Sequence, residues 1–144
     1  MAFRGTFDHT LDAKNRLTVP SKFRVELAGG VVVSRGIEAC AALWRPADFE
    51  AWTEEMVGAM GRLTTQGRQF RRVISASAFE TELDSAGRVM LPAPLIEHAG
   101  LRKDVVVVGN EDCLEVWDRR TWSDYDAQIS PQIPDLTDAI GPAA

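Results

Sequence analysis

Residues 11–23 read LDAKNRLTVPSKF, and residues 83–95 read LDSAGRVMLPAPL. Both strings run Leu-Asp, three turn residues, an arginine, a short apolar strand and a proline. Sliding the chain against itself by 72 positions superposes Phe7 on Phe79, Leu11 on Leu83, Asp12 on Asp84, Arg16 on Arg88 and Pro20 on Pro92. A shift of 73 then superposes Gly36 on Gly109, Glu38 on Glu111, Cys40 on Cys113 and Trp44 on Trp117, which places one additional residue in the second half's middle loop. Matches that include Cys and Trp mark a duplication, and duplication implies a pseudo-twofold axis. Two copies are too few for a solenoid, so the halves are expected to interlock around one core.

Working outward from these strings, residues 3–11 and 73–83 read as extended, with apolar residues alternating along 75–83 as on a half-buried strand. The AKN and SAG segments are turns, since Gly87 takes a positive φ freely and Asn15 is the next most tolerant choice. Residues 17–19 and 89–91 resume the strand. Pro20 and Pro92 hold the preceding residue extended and suit the first turn of a helix. Those helices are SKFRVELA and APLIEHA, closed by Gly29 and Gly100. Residues 31–34 and 105–108 are continuously apolar, as central strands are, and 43–44 and 114–117 form another pair. PADFEAWTEEMVGAM sets Phe49, Trp52, Met56 and Met60 on one helical face, and RRTWSDYDAQI does the same with Trp122, Tyr125 and Ile129. The basic segment TTQGRQFRRV reads as a helix bridging the halves. The expected organisation is a first repeat over 1–61, a basic linker helix over 62–74, a second repeat over 75–129 and a flexible tail over 130–144. The expected class is α+β, mainly β: eight short strands in two related sets closing a barrel, which removes exposed edges, with helices flanking it.

The 144 residues carry a net charge of −5, with 45% hydrophobic and 26% charged residues, the balance of an ordinary globular protein. No apolar run approaches the roughly 18 residues that span a bilayer, and the start lacks a basic region followed by an apolar one. Two cysteines make no disulfide framework and fit a reducing cytoplasm. Charge is uneven along the chain. Five cations (Arg4, Lys14, Arg16, Lys22, Arg24) face two acids in residues 1–24, four arginines and no acid lie in 62–72, and eight acids face two cations from 110 onward. A basic patch on an acidic protein fits a local polyanion site, although a solvated charged surface explains the same counts. Catalysis finds little support. His9 and His98 have no metal-ligand spacing with Cys40 or Cys113, and there is no phosphate-cradling glycine loop and no nucleophile elbow. The repeat-equivalent cysteines read as small buried hydrophobes. No enzyme activity, metal, cofactor or small-molecule substrate is expected.

The pattern Asp-x-x-x-Arg remains, at Asp12–Arg16 and Asp84–Arg88. One reading makes each pair a hairpin staple, with Asp capping its own turn and Arg pairing across it. The other notes Lys14, Lys22 and Arg24 around the first copy and makes the tip a DNA-reading element, able to touch phosphates or guanine edges. The two strings, with FRGTF at the start, HAGL at 98–101 and LEVWD at 114–118, resemble the MraZ family of bacterial transcription regulators over roughly residues 1–127. That resemblance implies an AbrB-like swapped-hairpin barrel made by both halves of one chain. It also implies a ring-shaped homo-oligomer, association with the nucleoid, and promoter DNA of the cell-division and cell-wall operon as partner. The DNA-contacting elements it implies are the two loops, Asp12, Lys14, Asn15 and Arg16 in the first and Arg88 in the second, with Lys22 and Arg24 close by. Asp84, Gly87, Pro20 and Pro92 shape the motif. The family usually has Gly where this chain has Asn15, which bears on the shape of the first loop. The second tip, with Arg88 among Glu80, Glu82 and Glu97, is expected to do less of the work.

Overall fold

The two halves lay down the same four strands in the same order. They are β1 (Thr6–Thr10), β2 (Arg16–Thr18), β3 (Val31–Arg35) and β4 (Ala41–Trp44), then β5 (Phe79–Thr81), β6 (Arg88–Met90), β7 (Asp104–Asn110) and β8 (Cys113–Asp118). The architecture comes from a computed structural model that describes residues 2–141. Helices α1 (Pro46–Met60), α2 (Thr65–Ala76), α3 (Ala93–Ala99), α4 (Arg119–Ile129) and α5 (Ile133–Asp138) complete it.

Strands are exchanged between the halves. β1 pairs antiparallel with β7 of the other half, and β5 pairs antiparallel with β3. The six-stranded sheet therefore runs β1-β7-β8-β4-β3-β5, which reads the same from either end once the halves are interchanged. β2 and β6 form a separate two-stranded ribbon. The register locates the pseudo-twofold axis. Repeat-equivalent Leu17 and Val89 face each other in the ribbon, and repeat-equivalent Ala42 and Glu115 face each other at the sheet centre. Hydrogen bonding thus runs as a sheet plus a ribbon, and the ribbon lies across the sheet's inner face. Leu17, Val19, Val89 and Leu91 share one core with Val31, Val33, Leu43, Val105, Val107, Leu114 and Val116.

Period-2 alternation explains why the central strands are apolar throughout. Their inward residues meet the ribbon, and their outward residues meet helices. Val32, Ala42 and Trp44 pack under Phe49 and Trp52 of α1. Cys40, Val106, Val108 and Trp117 pack under Trp122 and Tyr125 of α4. α2 folds back on α1, with Phe70 edge-on to Trp52 at 5.8 Å between centroids.

Four expectations change in detail. Residues 73–76 are the end of α2 rather than strand, because Ile74 is buried on that helix, and strand resumes only at Phe79. SKFRVELA forms a 3₁₀ turn over Ser21–Phe23 and then isolated turns, since exposed Val25 and two following glycines give a helix little to hold it. By residue count helix exceeds strand, 41% against 27%, because the outer layer is helical while strands build the core. The repeat slip is also more than one inserted residue. Val31 faces Thr81 where Val105 faces His9, but Trp44 faces Val32 where Trp117 faces Val106. Two residues are thus added before β7, and the β7–β8 turn is one shorter. The segment after α4 is an exposed 3₁₀ turn, Ser130–Gln132, leading into exposed α5.

Candidate nucleic-acid interface

Each Asp-x-x-x-Arg loop joins an outer sheet strand to the ribbon, and the two loops are built alike. Oδ1 of Asp12 accepts from the backbone N–H of Lys14 and of Arg16, both at 2.9 Å, and Oδ2 accepts from Arg16 Nε at 2.7 Å. Oδ1 of Asp84 accepts from Ala86 and Arg88 N–H at 2.9 Å, and Oδ2 accepts from Arg88 Nε at 2.8 Å. Each loop closes on a left-handed residue, Asn15 at φ 57° and Gly87 at φ 75°. The asparagine therefore reproduces the glycine turn, its short polar side chain making that region affordable. The loops also hold one another. Leu91 N–H donates to Asn15 C=O, and Val19 N–H donates to Gly87 C=O, both at 2.9 Å.

Three donors on one carboxylate favour its charged form. Asp12 and Asp84 are held below the usual 3.8, first by the backbone N–H of Arg16 or Arg88 and further by its guanidinium, with burial opposing. Among the described residues the two guanidinium groups are hydrogen-bonded only at Nε. Their side chains are 29% and 34% exposed.

The ribbon register brings both arginines to one surface. Arg16 faces Met90 and Arg88 faces Thr18, so these four side chains share the outward face while Leu17 and Val89 point into the core. Arg16 and Arg88 are diagonal neighbours across the ladder, a relation that spans about 7–8 Å between backbones. Two motifs 72 positions apart become one two-arginine face astride the pseudo-twofold axis.

The other candidate residues are placed less simply. Lys14 is exposed at the first tip. Lys22 Nζ lies over the rings of Phe7 and Phe23, at 5.5 and 5.1 Å from their centroids. Arg24 Nε donates to Val19 C=O of its own half at 3.0 Å, and the side chain reaches the other half, lying so close over Gly87 that a Cβ there would sit 2.5 Å from that nitrogen. Strand exchange thus lends a first-half cation to the second tip, and the tips differ less than local sequence suggests. Pro20 and Pro92 stand where the chain leaves the ribbon, Pro92 as the cap of α3. Arg102 and Lys103, which sequence reasoning passes over, line a groove with Asp12, Ala13 and Asn15. Their signal lay only in the HAGL segment just before them.

No group of His, Cys, Asp or Glu among the described residues could hold a metal, and no described helix is long and apolar enough to cross a membrane. Cys40 and Cys113 are buried and free, and burial pushes both thiols up, Cys113 to about 12.

Comparison with known proteins places the chain in a family. The family described as "MraZ protein, putative antitoxin-like" matches twice, over residues 2–73 and 74–137. A protein of Symbiobacterium thermophilum named transcriptional regulator MraZ is 35% identical over 137 residues, covering 95% of this chain and 99% of its own. Relatives of the same name from Thermobifida fusca and Corynebacterium jeikeium are 40% and 39% identical, covering 97% and 96% of both chains. That is a family of transcription regulators and not of enzymes. With two family matches spanning nearly its whole length, the chain belongs to the MraZ family.

Proposed function

We propose that this protein is a DNA-binding transcription regulator that reads promoter repeats with its ribbon face. The observation that supports this most is the convergence of Arg16 and Arg88 on one outward surface, each held in place through Nε by its own aspartate. An arginine fixed in this way loses little freedom when its terminal nitrogens meet a guanine edge or a phosphate. Lys14 at the tip and Arg24 over Gly87 add charge on either side. In this reading the chain acts as a homo-oligomeric ring at the nucleoid, on the promoter of the cell-division and cell-wall operon.

A gel-shift titration with the chain's own upstream promoter, run at two salt concentrations, tests it. Tight, sequence-dependent binding with a steep salt slope is the expected result. The complete Asp-to-Arg hydrogen bonding favours one alternative, a ring or interaction module in which these pairs only staple hairpins. In that case the promoter and a scrambled duplex would bind equally weakly, and Arg16→Ala would change nothing beyond stability.

A further inference from the structure

The two tips have different neighbours. Beside the first, the chain enters β7 through Leu101, Arg102 and Lys103, and Leu11 N–H donates to Lys103 C=O at 2.8 Å, holding that segment against the base of the tip. A groove of about 670 Å³ results, between Thr10 to Ala13 with Asn15 on one wall and Leu101 to Lys103 on the other. On the second half, a groove of about 320 Å³ is bounded by Gly29, Gly30, Glu80 and Glu82, short of the tip itself. One groove carries cations, and its counterpart carries carboxylates. The difference arises where two residues are added before β7.

The acids near the first groove leave that charge largely available. Asp12 is filled by its own loop. Asp118 is buried, caps α4 through Thr121 and takes two long bonds from Arg102, at 3.3 and 3.4 Å. The Arg102 side chain nevertheless stays 73% exposed. Lys103 is exposed, and its ammonium has no partner among the described residues. Asp104 is an exposed acid alongside, and beyond it lie Arg120 and Arg119, the latter paired with exposed Asp8 at 3.7 Å.

We propose that Arg102 and Lys103 form a phosphate-binding shelf that receives the DNA backbone while the neighbouring Arg16 faces the bases. The proposal rests on the reading of the tips as a DNA interface. It makes the first tip a two-part contact, one part for sequence and one for the backbone, and leaves the second tip without the backbone part.

Fluorescence anisotropy with the promoter fragment and a scrambled duplex, over a series of salt concentrations, tests the shelf in Lys103→Gln, Arg102→Gln and the double variant. Each lost phosphate contact should lower the slope of log K against log salt by roughly one. The double variant should weaken both duplexes by the same factor, with the promoter-to-scrambled ratio unchanged. Lys103→Gln breaks no side-chain bond, so its result stands even if Arg102→Gln, which frees buried Asp118, lowers the melting temperature. Unchanged slopes in Lys103→Gln and the double variant, with normal promoter binding by the wild type, would overturn the shelf and leave the tip reading intact. A changed promoter-to-scrambled ratio at constant slope would overturn it in favour of base contact. Displacement of DNA by millimolar inorganic phosphate beyond that by chloride of equal ionic strength would mark a free-anion site instead. A wild type that binds no promoter would remove both readings.

Discussion

Asp12 and Asp84 each gather two backbone N–H groups and one guanidinium nitrogen, so their protonation is tied to loop geometry. Because their folded values lie below the usual 3.8, they contribute stability that is complete above that value and is lost as pH falls through the depressed one. Carboxyl-carbon NMR titrations should show both midpoints below the usual 3.8. Asp12→Asn should remove that part of the acid sensitivity and leave melting near neutral pH lower than wild type. At the same scale, Arg16→Ala should cost about tenfold to a hundredfold in promoter affinity, the worth of one bidentate base contact, with unfolding nearly unchanged. Arg88→Ala should cost less, because the exposed carboxylates of Glu80 and Glu82 closely precede its loop. Equal losses would refute that division. These residues were legible because the motif recurs. Arg24's position over Gly87 was not, since nothing local says that a residue of one half crosses the other's turn.

The ribbon is the element on which the proposed interface depends. Leu17 is fully buried beneath it, and Leu17→Ala should cost about 2–5 kcal/mol in denaturant unfolding. Gly87→Ala should also destabilise, because φ is positive and Arg24 already occupies the space. Asn15→Gly, by contrast, should be nearly neutral, which a matched pair of denaturation curves would show. Helices with a clear apolar stripe, α1 and α4, were readable to their ends, since one face had to meet Trp44 and the other Trp117. The segments misread were those where two periods compete. In residues 73–83 alternation and helical spacing overlap, and burial of Ile74 settles it as helix to Ala76.

At the scale of the whole molecule, the pseudo-twofold order of the sheet was implied by duplication, whereas the exchange of β1 and β5 was implied only through the family resemblance. A period says that two units exist and not which strands they trade. On the proposed reading, one ribbon face of an acidic chain would offer few DNA contacts, so useful affinity would call for several faces bound together. Light scattering should give a mass several times 15.8 kDa. Val25 at 82% exposure and Leu63 at 89% are apolar surface for such assembly to cover. A clean monomer at micromolar concentration would sink the multivalent reading.

Strand exchange also sets a timetable on the ribosome. When β1 emerges, its partner β7 lies about a hundred residues from being made, and β3 must wait for β5. Until then the nascent first half can close only its β3–β4 hairpin, with open edges on either side. An mRNA truncated near residue 77 would release a fragment whose unmet edges match those of a second such fragment. Such half-length products should be recovered as pairs or aggregates and never as folded monomers.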